Sequence, residues 1–124
     1  MESSTPLVVV IEDDAAERKA LGRVLRAGGF ATAAYASAEE FQAFPPAQRP
    51  LCLVLDVRLG GMSGLDLQRM LNAERSTLPV IVVTAHDDPG IRSEAERLGC
   101  RAYLRKPFEG RALLELLRSW LPGT

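Results

Sequence analysis

Short apolar runs alternate with amphipathic stretches along the whole chain. Leu7-Val8-Val9-Val10-Ile11, Phe30 to Tyr35, Leu51 to Asp56, Pro79 to Thr84 and Ala102 to Arg105 read as five strands. Several are apolar almost throughout, as strands buried on both faces of a parallel sheet are. Between them the apolar period lengthens to that of a helix. Asp14 is a good N-cap for a first helix, in which Leu21, Val24, Leu25 and Gly28 recur at helical spacing until Gly28-Gly29 stops it. Gly22 inside that helix costs about 1 kcal/mol relative to alanine, which predicts close packing there. Ser37-Ala38-Glu39-Glu40 reads as a capping box, and Pro45, Pro46 and Pro50 make the next segment a loop. In the turn Gly60-Gly61-Met62-Ser63-Gly64, Ser63 is the N-cap of a third helix with Leu67, Met70 and Leu71 on its apolar face. Asp88-Pro89 opens a fourth helix, whose thin stripe of Ile91, Ala95 and Leu98 predicts a weakly held element. Glu109 to Leu121 reads as the last helix, with Leu113, Leu116, Leu117, Trp120 and Leu121 facing inward.

Strand followed by helix, five times over, specifies an α/β fold with helices on both faces of a parallel sheet. Right-handed crossovers leave few topologies. The flavodoxin-like doubly wound order 2-1-3-4-5 sets strands one, three, four and five side by side. That order matters because ligands of such sheets bind outside the carboxyl ends of the strands. Glu12-Asp13 follows the first strand, Asp56 ends the third, Thr84 ends the fourth and Lys106 follows the fifth. Each alone is bland: a loop acid, a β-branched strand residue, a surface charge. Together they are two carboxylates, a hydroxyl and an ammonium at one sheet edge, a site for a divalent metal and a phosphoryl group. Asp14 stays a helix cap in this reading.

Composition changes this picture little. The 124 residues suit one domain, expected to span the whole chain with a core from about 7 to 121, and 47% hydrophobic content can supply that core. A net charge of −1 gives no reason to expect a nucleic-acid surface. No apolar run approaches the roughly 20 residues that span a bilayer, and Met1 to Pro6 lacks the features of a secretory signal, so the expectation is cytoplasmic. Cys52 and Cys100 have no short ligand spacing and read as reduced, mostly buried thiols. His86 is the sole histidine, which excludes a multi-histidine metal site.

Glu12, Asp13 and Asp56 would bring three negative charges together, of which Lys106 offsets one. Mg²⁺, which prefers carboxylate and water oxygens, would offset the rest; without it repulsion raises at least one carboxyl pKa. An aspartate beside a cation and a lysine is placed to attack phosphorus and form an aspartyl phosphate.

Val10-Ile11-Glu12-Asp13-Asp14, Leu53-Val54-Leu55-Asp56, Met62-Ser63-Gly64, Val82-Val83-Thr84-Ala85 and Lys106-Pro107-Phe108 together resemble the receiver domain of bacterial two-component response regulators, over essentially the whole chain. The resemblance implies phosphorelay signalling, with a sensor histidine kinase or phosphotransfer protein as partner. It implies Asp56 as phosphoacceptor; Asp13, Asp56 and the Arg58 carbonyl as ligands of Mg²⁺ (or Mn²⁺), with Glu12 acting through water; and Thr84 and Lys106 on the phosphoryl oxygens. Tyr103 resembles the switch aromatic, and Lys106-Pro107 the cis peptide. Arg58 and His86 occupy positions that flank the phosphoryl group and tune its hydrolysis; the alternative is two solvated loop side chains. The surface of the fourth helix, fifth strand and last helix would carry the output, with dimerisation on phosphorylation and a transcriptional output domain as further expectations; DNA binding by these residues themselves is not expected. Two positions depart from the pattern: Gly60 stands where proline is common, which predicts a more flexible loop, and Glu12 stands where aspartate is commoner.

Other readings remain. A phosphohydrolase with an aspartyl-phosphate intermediate would want a general acid two residues after the nucleophile, where this chain has Arg58; the expectation is therefore a signalling module and not an enzyme beyond its own phosphorylation and slow dephosphorylation. A dinucleotide-binding domain would want G-x-G-x-x-G after the first strand, not Glu12-Asp13-Asp14-Ala15-Ala16. A docking domain that never takes up phosphate is separable only by measurement.

Overall fold

The computed structural model describes residues 5–86 and 88–122; most of the segment read for a secretory signal, and the last two residues of the expected domain, lie outside them. Strands and helices alternate as β1 Leu7–Ile11, α1 Ala15–Ala27, β2 Ala31–Tyr35, α2 Ala38–Ala43, β3 Cys52–Asp56, α3 Gly64–Ala73, β4 Val80–Thr84, α4 Pro89–Arg97, β5 Ala102–Arg105 and α5 Gly110–Arg118. The strands form one sheet in the order β2-β1-β3-β4-β5, parallel throughout. This is the doubly wound topology that the alternating pattern predicts.

The period-2 alternation of the strands divides the core in two. Val9, Ile11, Leu53, Leu55, Val57, Val80 and Val82 pack with Ala38 and Phe41 of α2, Leu67 of α3 and Ala95 of α4. Val8, Val10, Cys52, Val54, Ile81 and Val83 face the other way, against Leu25 of α1 and Leu113 and Leu117 of α5. Each fully buried aliphatic side chain contributes roughly 1.5–3 kcal/mol. The central strands β1, β3 and β4 are buried along their full length, so the edge they present to the site is rigidly backed.

Local signals fixed most helix starts. Asp14 accepts the Glu17 N–H at 2.8 Å, Ser37 the Glu40 N–H at 3.0 Å and Asp88 the Gly90 N–H at 2.7 Å. The Ser37 box is not closed on its own cap, however: the Glu40 carboxylate reaches one residue further back, to the Ala36 N–H at 2.9 Å. The closed capping box is Ser63 with Asp66. The last helix is shorter than expected. It ends at Arg118, and Trp120 and Leu121 bond to carbonyls three residues back in a tightened turn; Trp120 still packs on the core, with the Arg101 guanidinium 5.2 Å from its ring centre. Gly22 also differs from expectation: a Cβ there would meet the Arg26 guanidinium of its own helix at 2.9 Å, not a neighbouring element.

The α4 apolar stripe is as thin as its sequence, with Ala95 fully buried and Ile91 at the margin. Polar ties from α3 supplement it. Gln68 donates to the Ala95 carbonyl at 3.3 Å, Asn72 to the Leu98 carbonyl at 2.8 Å, and Arg69 pairs with Glu94 at 3.0 Å. Both cysteines are free; Cys52 is buried and Cys100 half-buried. No helix among the described residues is long and apolar enough to cross a membrane.

Candidate functional site

Strand register assembles the site. Ile11 pairs with Leu55, so Glu12 stands level with Asp56. Asp56 in turn pairs with Val83, and Thr84 with Arg105, next to Lys106. Four residues far apart in the chain thus share the carboxyl edge of one sheet.

Lys106 is the centre of the arrangement. Its Nζ donates to Glu12 Oε1 at 2.6 Å, Asp56 Oδ2 at 2.5 Å and Glu17 Oε1 at 2.6 Å. Glu12 and Asp56 are buried, at 4% and 5% exposure. The second Asp56 oxygen, Oδ1, accepts the Arg58 N–H at 2.9 Å. Burial, with Asp56 alongside, pushes the Glu12 carboxyl up to about 7 against the opposing hydrogen bond from Lys106. Burial by itself would lower the Lys106 ammonium, but its hydrogen bonds to Asp56, Glu12 and Glu17 outweigh that and raise it.

The other sequence-predicted residues surround this cluster. Thr84 is fully buried, and its hydroxyl oxygen accepts the His86 N–H at 3.0 Å. The Arg58 and His86 side chains are exposed. The Lys106-Pro107 peptide is cis. Tyr103 is half-buried against the α4 side of the core; its hydroxyl oxygen is buried and the Arg92 guanidinium lies 5.1 Å from its ring centre. Asp13 is exposed, and Arg18 Nη1 holds the main chain there, donating to the Glu12 carbonyl at 2.8 Å and the Asp13 carbonyl at 3.4 Å.

Glu12 and Asp56 thus meet on the lysine, while Asp13 stands exposed at the same edge of the sheet. The acids gathered on the lysine are Glu12, Asp56 and Glu17, and among the described residues no three acidic, histidine or cysteine side chains converge to hold an ion. A hard divalent cation does not need such a cage. Mg²⁺ takes one or two carboxylates and keeps several waters, and Asp13 and Asp56 are carboxylates of the kind it takes.

Sequence reasoning missed two residues. Asp14-Ala15-Ala16-Glu17 has the spacing of a capping box, which would fold Glu17 back on its own helix cap. Glu12 Oε2 already takes the Asp14 N–H, at 3.1 Å, and this leaves the Glu17 carboxylate for Lys106. Gly64 is the second: a Cβ there would lie 2.2 Å from the Asp56 carbonyl oxygen, so α3 starts directly on the backbone at the end of β3. Beside the site, a largely apolar groove of about 550 Å³ runs between α1 and the segment after β5, lined by Glu17, Leu21, Val24, Pro107 and Phe108 among others.

A parallel doubly wound sheet whose carboxyl edge carries a buried acid pair clamped by lysine defines a receiver-type α/β module. The chain belongs to the response regulator receiver domain family, whose model matches residues 8–118. It is 41% identical over 122 residues to the transcriptional regulatory protein FixJ of Azorhizobium caulinodans, covering 98% of this chain and 57% of that protein. It also matches the crystal structure of a response regulator receiver protein from Burkholderia phymatum, with 42% identity, a TM-score of 0.79 and 94% of each chain covered. Full-length FixJ from B. japonicum matches with 33% identity and a TM-score of 0.85, over 96% of this chain and 59% of that one. The chain thus spans little more than half the length of the curated FixJ relatives it matches. As a receiver domain its role is signalling, not metabolic catalysis.

Proposed function

We propose that residues 7–121 form one receiver unit that accepts a phosphoryl group on Asp56 from a partner histidine kinase or phosphotransfer protein and relays that state through its surface. The observation that carries this is Asp56 itself: a nearly buried carboxylate with Oδ2 on Lys106 and Oδ1 on the Arg58 N–H. One Asp56 oxygen attacks phosphorus and the bond to the donor histidine nitrogen breaks, the leaving ring keeping the electron pair and taking a proton from solvent to become neutral imidazole. Mg²⁺ or Mn²⁺, held by Asp13, Asp56 and the Arg58 carbonyl with Glu12 acting through water, would supply charge neutralisation for the transferring group. Lys106 provides the fixed positive charge and Thr84 a hydroxyl donor. For that role Thr84 turns from its own loop toward the phosphoryl oxygens, and Tyr103, under Arg92, responds in the vacated space. The surface of α4, β5 and α5 then carries the output, including a second copy of the domain. Arg58 and His86, both exposed, tune hydrolysis. In the whole protein the reading is a transcriptional regulator acting in the cytoplasm, with DNA contacts outside this domain.

The test is a mass measurement after incubation with Mg²⁺ and a small phosphodonor. Wild type gains one phosphate, acid-stable and base-labile, and Asp56→Asn gains none. No gain in wild type, or a gain that persists in Asp56→Asn, overturns the assignment. Unchanged dephosphorylation in both Arg58→Ala and His86→Ala removes the tuning role.

A further inference from the structure

Lys106 carries three N–H donors, and all three are taken, by Glu12, Asp56 and Glu17. A phosphoryl oxygen on Asp56 can gain this ammonium only if one partner lets go. The three are unequal. The Glu12 side chain is 5% exposed and the Asp56 side chain 7%, and stripping a buried carboxylate of its cation is costly. Glu12 also holds the Asp14 N–H. Glu17 is different: its side chain is 53% exposed, it stands on the first turn of α1, and water replaces the lysine when it leaves. We infer that Glu17 is the displaceable partner of Lys106, occupying in the unphosphorylated protein the N–H that a phosphoryl oxygen takes later, and so is a positioning residue that sets how readily Asp56 is loaded. This rests on Asp56 being the acceptor. The new phosphoryl charge repels the Glu17 carboxylate as it displaces it, so the exchange opposes loading with about the strength of one exposed ion pair.

The experiment follows phosphorylation by acetyl phosphate with Mg²⁺ as a function of donor concentration in wild type, Glu17→Gln and Glu17→Ala. Both variants should lower the half-saturating donor concentration about three- to fivefold, the size of an exposed ion pair, with the plateau rate unchanged. Salt screens exposed charges, so the gap to wild type should close as ionic strength rises, which a packing defect would not do. The double variant Ala16→Glu with Glu17→Ala keeps an acid on the same turn but off the lysine, and should match Glu17→Ala. Variants that load no more readily than wild type, a gap insensitive to salt, or a double variant that reverts to wild type each overturn the role of Glu17 while leaving Asp56 as acceptor. No phosphate gain in wild type overturns both.

Discussion

Gly64 seats the start of α3 on the end of β3 with no side-chain padding between them. Its N–H donates to the Val57 carbonyl at 3.0 Å, and the 2.2 Å between an added Cβ and the Asp56 carbonyl oxygen leaves nowhere for a methyl group to go. Backbone, unlike a side chain, cannot rotate aside. Gly64→Ala should therefore destabilise the fold by about 1–3 kcal/mol, read by urea unfolding, and slow phosphorylation because Asp56 moves with its own carbonyl. Gly60, four residues earlier, has nothing within 4 Å of an added Cβ. Gly60→Ala should raise stability by about 0.4–1 kcal/mol by restricting the unfolded chain. A Gly64 variant as stable as wild type would show that α3 can start elsewhere. Both glycines lie in one turn motif, and only the tertiary contact tells them apart.

At the scale of elements, α4 is asymmetric. Its C-terminal end is held by a closing turn, with the Cys100 N–H on the Ala95 carbonyl at 3.1 Å and the Gly99 N–H on the Glu96 carbonyl at 2.9 Å, and by the Gln68, Asn72 and Arg69 ties from α3. Hydrogen bonds from Arg97 and then Arg69 hold the Glu94 carboxyl down at about 2, below its usual 4.5. A depressed carboxylate contributes stability that is fully present above the unfolded value and lost as pH falls through the folded one. The Arg69–Glu94 part of the α3–α4 link should thus be complete above about pH 4.5 and be lost only near pH 2, while the Gln68 and Asn72 hydrogen bonds stay. A carboxyl-carbon NMR titration of Glu94 checks this, with Arg97→Ala moving the midpoint back up. The apolar stripe alone predicted a weakly held helix. The polar ties were not legible, because Gln68 and Asn72 read as ordinary helix residues until α4 is laid beside them.

Across the whole molecule, Cys52 reports on the integrity of the sheet. It is fully buried in β3, and burial pushes its thiol up to about 12, so neither access nor thiolate exists in the native state. Cys100 is half-buried at the end of α4, its thiol also raised by burial. In native buffer iodoacetamide should modify Cys100 slowly and Cys52 only through global unfolding, so that Cys52 labelling accelerates in step with the unfolded population. Equal rates at the two thiols would mean that the central sheet opens locally.

The sequence alone makes the elements, most helix starts and the identity of the strand-end residues legible, because strand periodicity, helix periodicity and capping are settled within a few neighbouring residues. It pointed to the sheet order because alternating strands and helices leave few packings. It could not show which carboxylates Lys106 would hold. Glu12, Asp56 and Glu17 lie 94, 50 and 89 positions away along the chain, and Asp13, with the same charge as its neighbours, remains exposed. Glu17 has the spacing of half a local capping box on Asp14, yet its carboxylate sits on Lys106 while Glu12 takes the Asp14 N–H. Short-range preferences are written in adjacent residues; which of several like charges shares a cation depends on distances that exist only once the sheet is assembled.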